Sequence, residues 1–149
     1  MKVHLFIMIT LLGVVLAVHL AMNGRVGSAM DNVRMANALF WTIGAVTAIV
    51  VGITGWEAGA LSALKEINPV LLTAGAMGAM LVFAIAWLIP RTGAGAVFII
   101  LLTGQVIGAL VMSHFGWLGS PREPVTLMKI AGAVVMLAGA AMATLTRSS

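Results

Sequence analysis

The spacing of the few charged residues constrains the fold of this chain more than any other feature. Lys, Arg, Asp and Glu make up only 8% of the 149 residues and occur in short clusters. Between the clusters lie five uncharged stretches, at 3–24, 36–56, 67–90, 92–121 and 130–146. Each is long enough to cross a bilayer as an α-helix, because about 20 apolar residues rising 1.5 Å each span the hydrocarbon core. The sequence predicts an all-α integral membrane protein with five transmembrane helices.

We expect one membrane domain over residues 1–149, with helices at about 3–22, 36–55, 67–89, 93–115 and 127–146. The first apolar run exceeds the core of a secretory signal and has no clear small-residue cleavage site, so it is interpreted as a retained helix.

Composition excludes several classes of protein. Hydrophobic residues reach 62%, whereas soluble chains contain about 45–50% apolar residues. The eight basic residues lie between the spans and form no patch for a phosphate backbone, so no nucleic-acid partner is expected. The chain contains no cysteine, which excludes disulfides and thiolate chemistry.

The basic residues give no orientation bias. Four lie on the side of the N-terminus and four on the other side: Lys2, Lys65, Arg122 and Lys129 against Arg25, Arg34, Arg91 and Arg147. Orientation follows the excess of Lys and Arg in short loops, so a chain without an excess can insert both ways up. The alternative is that Lys2 and the α-amine, or a partner protein, fix one orientation.

Five polar or aromatic residues in the spans are candidates for substrate binding: Gln105, Asn37, Trp41, Trp87 and His114. Gln105 lies near the middle of its helix on a glycine-bearing face, where it either lines a substrate path or bonds another helix. Asn37 and Trp41 share a face, which capping and interface anchoring explain as well as binding does. Trp87 and His114 lie near helix ends, where anchoring at the headgroup level is the simpler explanation.

Small residues spaced along helical faces predict close helix packing, since they let backbones approach where the hydrophobic effect cannot drive association. The glycines in these patterns are Gly75, Gly78, Gly104, Gly108, Gly132 and Gly139.

The spans lack the residues of several chemistries. All four carboxylates lie in connections or at a helix end, so direct coupling to a mid-membrane carboxylate is disfavoured. No catalytic set, metal-ligand pattern or phosphate-binding loop is present, so we expect no enzyme, no metal and no cofactor.

Three segments resemble the helix 4 signature of the YdcZ-like five-helix family of the drug/metabolite transporter superfamily. They are Arg91-Thr-Gly-Ala-Gly-Ala, Thr103-Gly-Gln-Val-Ile-Gly-Ala-Leu and His114-Phe-Gly-Trp-Leu-Gly. The resemblance extends over the whole chain and implies a multi-pass protein of the bacterial inner membrane, in a family that includes dual-topology members and ten-helix fusions. The family often has an Asp before the His-Phe-Gly element, where this chain has Ser113, so no role of that carboxylate transfers.

Charge count and resemblance together predict a carrier of a small metabolite or drug-like compound, uncharged or weakly cationic. Two copies of opposite orientation would form an antiparallel homodimer, a ten-helix inverted-repeat bundle with alternating access. The alternative is a non-transporting protein of fixed orientation that interacts with lipid or serves as an accessory subunit. A wet, polar cavity favours the carrier and a core filled with apolar side chains favours the alternative.

Overall fold

A computed structural model describes residues 3–145, with the side chains of residues 63 and 145 outside the description. Its helices are α1 (Val3–Ala29), α2 (Val33–Thr54), α3 (Pro69–Leu72), α4 (Ala74–Thr92), α5 (Ala94–Phe115) and α6 (Leu127–Leu145), with short 3-10 turns at Ser62–Glu66 and Trp117–Gly119. Five segments are long and apolar enough to cross a membrane, the third of them being Pro69–Thr92. The predicted all-α architecture with five spans is confirmed. Lys2 and Arg147 of the charge count, and residue 146 of the last predicted helix, lie outside the described residues.

The first helix differs from its predicted bounds, because α1 continues to Ala29 and does not end near residue 22. The Asn-Gly pair at 23–24 reads as a turn in the sequence, yet both residues are buried within the helix. Only Met30, Asp31 and Asn32 then separate α1 from α2. Asp31 has a left-handed φ of 49°, which Asp tolerates better than most residues, and the Asn32 side chain caps α2 by accepting from the Met35 N–H.

The third span begins at proline, as the first turn of a helix permits, and the Asn68 side chain accepts a bond from the Val70 N–H. The helical turn α3 ends at Leu72, and α4 begins at Ala74. At its other end α4 continues through Pro90 to Thr92, beyond the predicted end at residue 89. Gly93, with φ 84°, alone separates α4 from α5.

The chain divides into two compact units, one ending at Arg91 and one beginning at Thr92. In the first unit α1 packs against α2, and the buried residues of α1 begin at Leu20 and all lie toward its C-terminal end. In the second unit α5 packs against α6.

The connection between α5 and α6 is tied to the end of α5. The Glu123 N–H donates to the Ser113 carbonyl over 2.8 Å, and the Val125 N–H donates to Nδ1 of His114 over 3.2 Å. Gly116 ends α5 in the left-handed conformation with φ 67°. Lys129, early in α6, forms an ion pair with Glu123 of the same connection, with 2.9 Å between Nζ and Oε2.

Candidate functional site

The α1–α2 hairpin has a register that two contacts define. A Cβ at Gly27 would lie 3.3 Å from Cγ2 of Val33, and the rings of His19 and Phe40 lie 4.6 Å apart. Between these contacts, one helical turn before Gly27 on α1, lies Asn23. The same step along α2 from Val33 leads to residue 37, since neighbouring turns are separated by three to four residues. The hairpin therefore places the two asparagines, Asn23 and Asn37, at the same level.

Helix α4 crosses both partners of this hairpin. Nδ2 of Asn37 donates to the carbonyl of Ala79 over 3.4 Å. Nearby, the indole edge of Trp41 lies 3.4 Å from where a Cβ of Gly78 would be. A Cβ at position 78 would be in van der Waals contact with the indole, so Trp41 lies directly against α4.

Farther along α4, the contact passes from α2 to α1. A Cβ at Gly24 would lie 3.5 Å from Cβ of Ile89 and 3.6 Å from the carbonyl oxygen of Ala86. Pro90 has no N–H to donate back to that carbonyl, as the helix pattern would otherwise require. Between these contacts α4 buries Val82 and Ile85, so Asn23 lies in the part of the unit where three helices meet.

The polar side chains of this region have unused hydrogen-bonding groups. Asn23 is 1% exposed, and neither Nδ2 nor Oδ1 has a partner among the described residues. Oδ1 of Asn37 and Nε1 of Trp41 are also buried without a partner. We call these three residues the amide cluster. A buried group left unsatisfied costs about 1–3 kcal/mol, so four such atoms make this region the candidate binding site of the first unit.

The amide cluster has groups suited to hydrogen bonding and none suited to covalent chemistry. Two carboxamides supply donors and acceptors, and the indole supplies one donor. None of these groups is a nucleophile or a general base under ordinary conditions. The cluster can therefore orient an uncharged polar molecule by hydrogen bonds.

A second feature of the first unit is an open cleft of about 660 Å³ where the α1–α2 turn faces the end of α4. We call it the interface cleft. Its lining residues are Gly27, Ser28, Asp31, Asn32, Val33, Arg34, Phe83, Trp87, Pro90 and Arg91. The Arg91 guanidinium lies over the Trp87 ring, 3.9 Å from its centroid, and donates to the Trp87 carbonyl. Gly27, which lines the cleft, lies one helical turn after Asn23 on α1, so the cleft is next to the amide cluster.

The predicted site residues are distributed over both units. Asn37 and Trp41 are brought together in the amide cluster, and Trp87 lines the interface cleft. Gln105 lies on α5, where its side chain is exposed and the described residues provide it no hydrogen bond, although a position inside the bundle was expected. His114 holds the connection after α5 through its bond from Val125. Binding roles for Gln105 and His114 stay predictions.

Of the predicted packing glycines, Gly78 contacts another helix through Trp41. A Cβ would meet no atom of its own unit within 4 Å at the others: Gly75, Gly104, Gly108, Gly132 and Gly139. Close contacts occur instead at Gly24 and Gly27, which the sequence prediction placed in a loop.

Asn23 is the site residue that the sequence prediction missed. An Asn-Gly pair favours a turn, and the predicted helix bounds leave residues 23–35 to a connecting segment. The spacing of Leu20, Gly24 and Gly27 was the signal for a helix, because residues three to four positions apart share one helical face. All three are buried in the structure, and Asn23 belongs to the same face.

Comparison with known proteins identifies one family. The family model described as "Putative inner membrane exporter, YdcZ" matches residues 4–142, nearly the whole chain. The comparison found no curated protein and no solved structure that matches this chain.

Proposed function

Since the chain belongs to the YdcZ family of inner-membrane exporters, we propose that it carries a small uncharged polar compound, bound at the amide cluster. The family and the five apolar helices make it a multi-pass transporter of the inner membrane. The proposal adds the site, the class of substrate and the assembly.

The observation that carries the proposal is the set of four buried polar atoms without partners on Asn23, Asn37 and Trp41. Within a membrane span such groups are satisfied only by other protein groups, by a bound molecule or by water in a cavity. A structural role for Asn23 would need a helix partner, and none of the described residues supplies one. A transported molecule that exchanges hydrogen bonds with the cluster accounts for all four atoms.

The composition of the cluster restricts the substrate. No Lys, Arg, Asp or Glu belongs to it, so a fully charged group would enter without a counter-charge at high cost. A small metabolite or drug-like compound with both donors and acceptors matches two carboxamides and an indole. The same chemistry gives no means of breaking a covalent bond, which supports a carrier over an enzyme.

The assembly we propose is a homodimer of oppositely oriented copies in the lipid bilayer. Its support is the equal count of four basic residues on each side of the membrane. Two such copies are related by a two-fold axis in the membrane plane, the plan on which carriers alternate access by rocking one repeat against the other. The two amide clusters of the dimer would then lie near opposite faces of the membrane, one in each copy.

The carrier proposal is tested by water access, and the absence of cysteine makes single-cysteine variants specific. Asn23→Cys should react with a small water-soluble maleimide in proteoliposomes, because a thiol ionises and reacts only where water reaches it. Ala86→Cys is the matched control, since Ala86 is also 1% exposed and lies in the same unit. A control that stays unreactive shows that the reagent does not simply enter an unfolded protein.

The substrate is then sought by uptake into the same vesicles from a panel of uncharged metabolites and drug-like compounds. The expected result is a compound taken up by the parent and not by Asn23→Leu. If Asn23→Cys is as unreactive as Ala86→Cys and no compound enters, the cluster is dry and the accessory-protein alternative replaces the carrier.

Orientation is tested separately with Met30→Cys and Ala58→Cys, which are exposed positions beyond opposite ends of α2. Dual insertion predicts that a membrane-impermeant maleimide labels about half of the molecules of each variant in intact cells. Labelling of one variant only means a fixed orientation, and the dual-topology part of the proposal fails.

A further inference from the structure

The interface cleft has polar and apolar parts in a definite order. Its inner wall on α4 begins at Phe83, and its outer edge on the same helix is Arg91, eight residues later. Eight steps of 1.5 Å place these residues about 12 Å apart along the helix. Phe83, Trp87 and Val33 supply apolar surface, whereas Arg91, Arg34 and Asp31 supply charge. A ligand that fills the cleft needs a charged end and an apolar continuation.

The cleft lies at the ends of membrane-spanning helices. Arg91 is the penultimate residue of the third span, and Arg34 is in the first turn of α2. Helix ends of this kind lie at the level of the lipid headgroups, where tryptophan and arginine are both favoured. The molecules that are always present at that level, with a charged end and apolar chains, are phospholipids.

The two arginines are free to bind an anion. Among the described residues, the ion pair formed is that between Lys129 and Glu123, so neither Arg34 nor Arg91 is paired with a carboxylate there. Arg91 is held against Trp87, which fixes where its remaining N–H groups can point. Arg34 lies where an arginine is unfavourable for the helix, because the N-terminal end of α2 already carries partial positive charge. A phosphate between the two guanidiniums satisfies them, since the planar fork of arginine matches phosphate oxygens.

Asp31 adds selectivity to the cleft. Its carboxylate is unpaired and would repel a plain anion, but it accepts hydrogen bonds from an amine or a hydroxyl. Ethanolamine and glycerol headgroups carry such donors beyond the phosphate, whereas choline carries only methyl groups on its nitrogen.

We propose that the interface cleft binds a phospholipid whose headgroup has a hydrogen-bond donor, with the phosphate between Arg34 and Arg91 and the donor on Asp31. This site is independent of the amide cluster and does not rest on the transport proposal. In an oppositely oriented pair the two clefts would bind lipid in opposite leaflets.

The test measures lipid retained by the full chain. Protein in mild detergent is incubated with phosphatidylethanolamine, phosphatidylglycerol or phosphatidylcholine, and bound lipid is counted by native mass spectrometry. The first two should bind to the parent and phosphatidylcholine should bind weakly. Equal binding of all three overturns the role of Asp31 and with it the proposal.

Three variants locate the site. Arg34→Gln and Arg91→Gln should each weaken binding roughly tenfold or more, the scale of a lost hydrogen bond to a charged group. Arg25→Gln removes an exposed arginine of α1 that does not line the cleft, so it should bind as the parent does. An equal loss in Arg25→Gln would mean general attraction to positive charge and would overturn the site.

Two further measurements keep the result unambiguous. Arg34→Lys retains the charge and removes the fork, so partial binding with an unchanged melting temperature shows that geometry matters in a folded protein. Glycerol phosphate, added in place of lipid, tests a soluble phosphate ester. If it protects the protein from melting as well as the phospholipids do, the cleft is a site for soluble phosphate esters and the lipid proposal is wrong.

Discussion

Replacing Asn23 by leucine should make the protein more stable. The two side chains are similar in size, and the change removes two buried polar atoms without partners. Each such atom costs about 1–3 kcal/mol when left unsatisfied, so a gain of about 2 kcal/mol is expected after part of the benefit is lost to imperfect packing and to the water that reaches the cluster in the absence of ligand. For a chain of this length each kcal/mol corresponds to about 2–4 °C in melting temperature.

Asn37→Leu is the matched comparison, because Asn37 has one unused oxygen and one hydrogen bond to Ala79. Removing the unused oxygen stabilises the protein about as much as losing the hydrogen bond to Ala79 destabilises it, so the melting temperature of Asn37→Leu should stay close to that of the parent. The measurement is thermal unfolding of both purified variants in one detergent without added ligand. A fall in the melting temperature of Asn23→Leu would refute the reasoning, since it would mean that Asn23 has a hydrogen-bond partner in the folded protein.

Three other substitutions test separate parts of the structure. Gly24→Leu should lower the unfolding free energy by about 1–3 kcal/mol, because even a Cβ at this position would contact Ile89 at 3.5 Å. Gly75→Leu is the control and should change the unfolding free energy little, since a Cβ there would meet no atom within 4 Å. Equal melting temperatures of the two variants would contradict the α1–α4 contact. If Gln105 lines the substrate path, Gln105→Leu should abolish uptake and leave the melting temperature unchanged or slightly raised. A loss of about 0.6–2 kcal/mol with transport retained would instead mean that Gln105 only bonds another helix. His114→Ala should lower stability by about 0.5–1.5 kcal/mol through loss of the acceptor for the Val125 N–H, and faster hydrogen exchange at that amide is the measurement; unchanged exchange would contradict the bond.

The sequence was sufficient to predict the number of spans, because hydropathy and the absence of charge act on each helix independently of the others. It predicted the bounds of the last two helices nearly as observed. It was less successful for α1, whose last third contains asparagine, glycine, arginine and serine. These residues favour a loop when each is considered alone, and only packing against α2 and α4 explains why they are helical here.

The same reason applies to the site. Asn37 and Trp41 could be recognised as polar residues on one face of a span, but their level relative to Asn23 depends on the short turn at 30–32. A turn of three residues fixes the hairpin register, and the register brings the two asparagines together. With the predicted connection of thirteen residues, from 23 to 35, no register would follow. The error in the end of the first helix therefore concealed Asn23, one of the three residues of the amide cluster.

The position of Gln105 in the middle of its helix offers a reason for the proposed homodimer. In two copies related by a two-fold axis in the membrane plane, a residue meets its own counterpart only near the middle of the membrane. The helix α5 runs from Ala94 to Phe115, so Gln105 is at its centre. An exposed carboxamide at that depth is costly in lipid. Next to it Gly104 leaves open space on its own unit, as Gly108 does one turn later, which permits a second helix to approach closely. The pairing of Gln105 with Gln105 of a second copy would satisfy both amides, which is the physical reason why we expect one chain to form only half of the carrier.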